Sequence, residues 1–377
     1  MIPLSVPNLA GNEWQYIKDC LDTNWVSSVG SYVNKFEQIT AEFVGSKYAV
    51  ATSNGTSAIH IALKLAGVQQ GDLVIAPNIT FVATINAIKY TGANPVLVDI
   101  DPNTWQMDLD LLEDFLQNQT SNQGDYCLHK ATNQKIKAIV PVHVLGNMCD
   151  MDKLMRIAQQ YNLKVVEDST EALGSYYKGK HAGTFGLFGT LSYNGNKLIT
   201  TGGGGMILTD DETLAKRAKH LTTTAKADPK EYFHDEVGYN YRLVNILAAM
   251  GVAQMEQLEG FLKRKIEIRD FYNAQLSSIE GFANQQILTD VKPNNWLYTV
   301  KLPKAKELLV HLREHKIEAR PFWVPMNQLP ACSTDLYISK DNYSEKIYQN
   351  CVSLPCSTNI TDEELTQVVA LVQGFYQ

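Results

Sequence analysis

The sequence predicts an α/β fold: a large domain built on a mostly parallel sheet with helices on both faces, then a smaller α+β domain. Three observations carry this. Short Val/Ile-rich runs recur from residue 47 onward, with helical patterns between them. The runs are continuously apolar rather than alternating, as in strands buried on both faces. The chain has 377 residues, room for two or three domains of roughly 150 residues each.

Taken in order, "KYAVATS" (47–53) reads as a strand, and "NGTSAIHIALKLAG" (54–67) as a turn into a helix closed by Gly67. "DLVIAP" (72–77) is a strand, followed by a helix from Thr84 to Tyr90. "NPVLVDI", "IKAIVPVHV" and "LKVVEDS" are further strands, the last two separated by the helical "DMDKLMRIAQQYN". The polar stretch Leu116 to Lys135 is a surface excursion. "GTLSYNG" and "GGMILTD" form a strand pair, and Glu212 to His220 a helix. A helical connector from Asn245 to Leu276 leads into the second domain, giving a division into 1–250 and 251–377. There, "WLYTVKL" is strand-like, "AKELLVHLREHK" an amphipathic helix and "EARPFWVPMNQLP" a Pro-rich loop. The terminal helix opens with a capping box, Thr361 to Glu364.

Hydrophobic residues make up 45% and charged residues 19%, an ordinary balance for a globular protein with a large core. A net charge of −7 argues against nucleic-acid or anionic-membrane binding. The six cysteines show no CxxC spacing and read as buried hydrophobes in a reducing compartment. The N-terminus lacks the pattern of a signal peptide, and no apolar run approaches the roughly 20 residues of a membrane span. A cytoplasmic protein is expected.

Three constellations carry chemistry. In "SNGTSAIH" (53–60) a strand ends and a glycine turn opens a helix, which aims backbone N–H groups at one spot suited to phosphate; a plain N-cap is the alternative. "VVEDSTEALGS" (165–175) places Asp168 at the C-terminal end of a strand, where open α/β sheets bind ligands. No histidine pair at ligand spacing accompanies it, so no metal is expected. In "SYNGNKLITTGGGG" (192–205), Lys197 precedes the glycines, whereas a phosphate loop carries its lysine after them. A dinucleotide loop fails too, since the glycines run into a strand. Lys197 is left as a nucleophile or a surface charge. Together, a phosphate turn, a strand-end acid and a lysine match what pyridoxal phosphate (PLP) needs: a phosphate cradle, an anion for its ring nitrogen and an amine for its aldehyde. Phe81 supplies an aromatic that could stack on the ring.

The chain resembles the DegT/DnrJ/EryC1/StrS family of PLP-dependent nucleotide-sugar aminotransferases nearly end to end. The resemblance rests on "NWVSSVG" (24–30), "SNGTSAIHIAL" (53–63), "TFVAT" (80–84), "VPVHVLGNMCDMD" (140–152), "VEDSTEALGS" (166–175), "SYNGNKLITTGGGG" (192–205), "GYNYRLVNILAAMGVAQ" (238–254) and "RPFWVPMNQLP" (320–330). It implies the aspartate aminotransferase (type I) fold with a seven-stranded type of sheet. Lys197 resembles the lysine that bonds the cofactor and Asp168 the partner of its ring nitrogen. Gly55, Thr56 and Ser192 resemble phosphate ligands, and Phe81 the stacking residue. Asn240 resembles the asparagine that reaches the neighbouring subunit's cofactor phosphate, implying a homodimer with shared sites. Arg242 orders that loop, meets substrate phosphate, or makes a structural ion pair.

Two positions depart from the family pattern. Glu171 stands where relatives often have glutamine beside the cofactor's 3-oxygen; two anions there would repel, so a protonated, rotated or water-bridged carboxyl is expected. Gly203 replaces a frequent glutamate. A lysine rather than a histidine at position 197 favours transamination over dehydration, with L-glutamate as the implied donor. The motif details resemble enzymes that aminate C4 of nucleotide-linked 4-keto-6-deoxy sugars, including those on the routes to bacillosamine and legionaminic acid. The first expectation is a UDP-2-acetamido-4-keto-2,6-dideoxy hexose, for a surface glycan such as O-antigen; the alternative is GDP-4-keto-6-deoxymannose, the perosamine type. Trp25, His143, Arg320 and Trp323 are candidate sugar or nucleotide contacts. A non-catalytic PLP or nucleotide-sugar binding protein is the alternative of another class.

Overall fold

The computed structural model describes residues 1–124, 126–228 and 230–377; Asp125, within the polar excursion, lies outside them. Two helices, α1 (Glu13–Asp22) and α2 (Ser31–Val44), lead in. The alternating region then runs β1 (Tyr48–Thr52), α3 (Gly55–Leu65), β2 (Leu73–Pro77), α4 (Ala83–Tyr90), β3 (Asn94–Val98) and α5 (Leu109–Gln119). It continues through β4 (Lys135–Ile139), α6 (Met151–Gln160), β5 (Lys164–Asp168), β6 (Phe188–Ser192), β7 (Gly205–Thr209) and α7 (Glu212–Thr222). Helices α8 (Asn245–Met255) and α9 (Leu258–Leu276) lead to β8 (Tyr298–Lys301), α10 (Ala305–Glu314), β9 (Arg320–Pro321), β10 (Leu336–Ile338), α11 (Tyr343–Asn350), β11 (Cys351–Leu354) and α12 (Asp362–Tyr376).

The large sheet has the order β1-β7-β6-β5-β4-β2-β3-β10. All neighbours are parallel except β7, which runs antiparallel to β1 and β6. Seven strands match the expected type of sheet. The eighth, β10, arrives from the C-terminal half and pairs with β3, Leu336 opposite Val96. The polar excursion continues α5 and then forms a hairpin, Thr120–Asn122 with Cys127–His129, which pairs with β4.

Both faces of the sheet are buried, as the unbroken apolar runs require. Leu73, Ile75, Val96 and Val98 pack against α5 and α6 on one face. Val74, Ala76 and Leu97 alternate with them and meet α3, α4 and α7 on the other. The small domain packs α9, α10 and α12 on β8 and β11, and Ile2 from the N-terminus joins this core. Its terminal helix is held by the Thr361–Glu364 capping box. Helix α8 packs against α1 and α2. Residue 250, the expected boundary, lies within α8, and each core takes a segment from the other half of the chain.

Candidate active site

Three sheet strands end around one cavity of about 490 Å³. β1 feeds α3, whose N-cap Asn54 accepts from the Ser57 N–H (2.8 Å). The first-turn N–H groups of Gly55 and Thr56 have no intrahelical acceptor by geometry and face outward from the helix end. Gly55 is closely packed: a Cβ there would lie 3.0 Å from both Ser192 Cβ and Thr170 Cγ2. Gly205 is tighter still, since its Cβ would lie 2.5 Å from the Asn54 backbone. Part of the glycine run thus lets β7 pass the α3 N-terminus.

β5 ends in Asp168, which is buried. The Thr84 hydroxyl donates to its Oδ2 (2.6 Å) and the Thr170 N–H to its Oδ1 (3.1 Å). Lys197 lies in the turn after β6, its N–H donating to the Asn194 carbonyl (3.0 Å). Its side chain is only 11% exposed, with Nζ 3.8 Å from Glu171 Oε1. The Trp296 ring lies 3.8 Å from the same nitrogen. Lys197 is therefore no surface charge. Burial pushes its amine pKa down, while the Glu171 and Asp168 carboxylates push it back up. Glu171 accepts from the Leu145 N–H (2.8 Å). Burial raises its carboxyl to about 7 against the opposing pull of Lys197 and that N–H.

Gly55, Thr56, Phe81, Ser192, Lys197, Arg320 and Trp323 all line the cavity. Asp168 and Glu171 lie just behind it, beside Lys197, and the remaining four candidates lie elsewhere. His143 is fully buried outside the cavity lining, and its Nε2 sits 3.0 Å from Glu167 Oε2. The bridge from Val142 to Asp168 continues the sheet and carries His143 inside. Arg242 is also buried; it pairs with Glu37 and donates to the Ala51 carbonyl (3.1 Å), so its charge is spent tying α2 to β1. Trp25 is exposed outside the cavity lining. Asn240 is exposed too, between Tyr239 and Tyr241, which stack at 5.0 Å and pack on His60. The sequence reading missed Thr84, Thr170, Asn196 and Trp296. Thr84 had a signal, as a hydroxyl at a helix start; Trp296, before a strand of the other domain, had none.

The residues present fit PLP: helix-start N–H groups, a buried carboxylate and a buried amine converge, and two glycines are held to that spacing by contact. Comparison with known proteins agrees. The profile of the DegT/DnrJ/EryC1/StrS aminotransferase family matches residues 7–373. The chain belongs to that family. It is 40% identical to the GDP-perosamine synthase of Escherichia coli O157:H7 over 378 residues, covering 100% of this chain and 98% of that protein. It is 36% identical to the GDP-perosamine synthase of Caulobacter vibrioides, covering 98% and 96%. Among solved structures, Helicobacter pylori PseC, an aminotransferase involved in pseudoaminic acid biosynthesis, superposes with a TM-score of 0.89 at 25% identity, covering 100% and 99%. The protein is a PLP-dependent sugar aminotransferase with the type I fold.

Proposed function

We propose that this family member aminates C4 of GDP-4-keto-6-deoxymannose, with L-glutamate as donor. The observation that carries the reading is the full-length similarity to proteins named GDP-perosamine synthase, at 40% and 36% identity. It favours the GDP alternative over the UDP-linked acetamido sugar expected first.

PLP, when bound, supplies an aldehyde that bonds amines and a ring that accepts an electron pair. The N–H groups of Gly55 and Thr56, with the Ser192 hydroxyl, would hold its phosphate. Asp168, fixed by Thr84 and Thr170, would hold the ring nitrogen in its protonated state, and Phe81 would cover one ring face. Lys197 Nζ would take the α-proton from the donor, which requires a neutral amine; burial favours that form. Glu171, 3.8 Å from that nitrogen, would set the charge on the amine. Arg320 and Trp323, at the mouth, would meet the diphosphate and the sugar. Asn240, exposed and off this cavity, supports a homodimer in which it completes the partner's phosphate site. Among the described residues no helix is long and apolar enough to cross a membrane, consistent with work in the cytoplasm.

The test is the absorption spectrum of the PLP-loaded protein before and after L-glutamate, followed by GDP-, UDP- and dTDP-linked 4-keto sugars. Bleaching by glutamate and amination of the GDP sugar support the reading. Preference for a UDP sugar would restore the first expectation. A cofactor band indifferent to every donor and sugar would favour a non-catalytic binder.

A further inference from the structure

Trp296 meets Lys197 at both ends of the lysine. It is buried, and its ring is the aromatic surface 3.8 Å from Lys197 Nζ. Its indole Nε1–H donates to the Asn196 carbonyl (2.7 Å), the peptide unit that enters Lys197. One bond thus fixes the lysine's backbone, while the ring face meets its far end.

Trp296 is itself held from several sides. Its N–H donates to Asn294 Oδ1 (2.9 Å), and the Asn294 amide donates to the Glu171 and Leu173 carbonyls (2.8 and 2.9 Å). Its carbonyl accepts from the buried Lys265 ammonium (2.7 Å). The ring stacks on Trp323 at 6.4 Å and 18°. A tryptophan anchored in this way is not a flexible wall of the cavity. It joins the small domain to the turn bearing the reacting amine and to the strand-end segment bearing Glu171.

We propose that Trp296 is the positioning residue for Lys197: its indole N–H sets the lysine's turn, and its ring face stabilises the ammonium form so that the amine can regain a proton in an apolar pocket. An ammonium against an aromatic face is favoured electrostatically, and more so where water is excluded. The other charged groups near this amine are Glu171 and Asp168 from the large domain, with Glu318 and Arg320 lining the same cavity from the small domain. Of these, only the carboxylates share the tryptophan's direction of effect. The inference rests on Lys197 being the reacting amine, a point tested separately by Lys197→Ala.

The experiment uses the cofactor-free protein, so its outcome does not depend on turnover. Trace acetylation with acetic anhydride from pH 6 to 10, read at the Lys197 peptide by mass spectrometry, reports the neutral amine fraction. Trp296→Leu removes face and N–H. It should move the Lys197 labelling profile to lower pH, with about threefold to thirtyfold more labelling at neutral pH, the range implied by a buried cation–π contact. Trp296→Phe keeps a face and loses the N–H. Its profile should stay within about twofold of the parent, while kcat of the loaded enzyme falls at least tenfold with KM for the sugar unchanged. Should the leucine variant not fold, the parent protein still decides. Its tryptophan emission, quenched by an ammonium over the ring, should rise with pH in a step that Lys197→Met removes. An unshifted leucine profile, or an emission titration identical in parent and Lys197→Met, would overturn the proposal.

Discussion

Replacing Glu171 by glutamine tests the electrostatics of the site most directly. The two charged atoms are 3.8 Å apart, with side chains 2% and 11% exposed. At an effective dielectric near 20, unit charges about 4 Å apart interact by roughly 4 kcal/mol, equivalent to about a thousandfold in the neutral fraction of the amine. That is an upper bound, because Glu171 is itself partly protonated near pH 7 and Nζ retains some access to water. The ionised carboxylate favours the ammonium, so Glu171→Gln lets Lys197 lose its proton at lower pH. The expected result is at least tenfold faster trace labelling of Lys197 at pH 8 to 9 in the apo protein. Turnover with glutamate should stay within about tenfold of the parent, since the amide keeps the shape and the neutral amine is the base. A labelling profile unchanged within threefold would refute the pair. Complete loss of turnover with the profile shifted as expected would give the acid a chemical role beyond setting charge.

Lys197→Ala should leave the fold intact and abolish turnover; activity above about a thousandth of the parent would remove the lysine from the mechanism. Gly205→Ala drives a Cβ to 2.5 Å from the Asn54 backbone and should cost about 1–3 kcal/mol in urea unfolding; an unchanged midpoint would show that β7 and α3 can separate freely. Arg242→Met leaves Glu37 largely buried with its main partner gone and should cost about 3 kcal/mol, whereas a substrate role would change KM with no loss of stability. Glu171 gives a pH signature as well. Its folded carboxyl titrates above the ordinary glutamate value, so the folded apo protein binds the extra proton and its advantage is full below about pH 4.5. Stability should decline by roughly 1–3 kcal/mol as pH rises toward about 7, and Glu171→Gln should flatten that part of a pH series of melting curves.

Much of the site was legible because its chemistry is local. A strand-end acid, a helix-start glycine and a lysine in a turn each leave a signature within a few residues, and the structure gathers them as the pattern requires. What escaped depends on packing across the chain. Nothing in "PVH" says that the bridge from Val142 to Asp168 buries His143 against Glu167. "GYNYR" permits either role for its arginine, and only the position of Glu37 on α2 decides. Trp296 meets Lys197 because the small domain folds back over the turn. The strand assignments held where runs were apolar, while β10, three residues long and just after the Pro-rich loop, had no pattern to reveal it.

That short strand constrains how the molecule can be made. Until Ile317 has left the ribosome, Ile2 has no bridge partner, and until Ile338 follows, β3 presents an unpaired apolar edge. Exposed edges of this kind invite pairing with other chains. The catalytic sheet is therefore finished late in synthesis, and a gene divided after residue 250 should yield an insoluble first half that recovers only when the second is supplied.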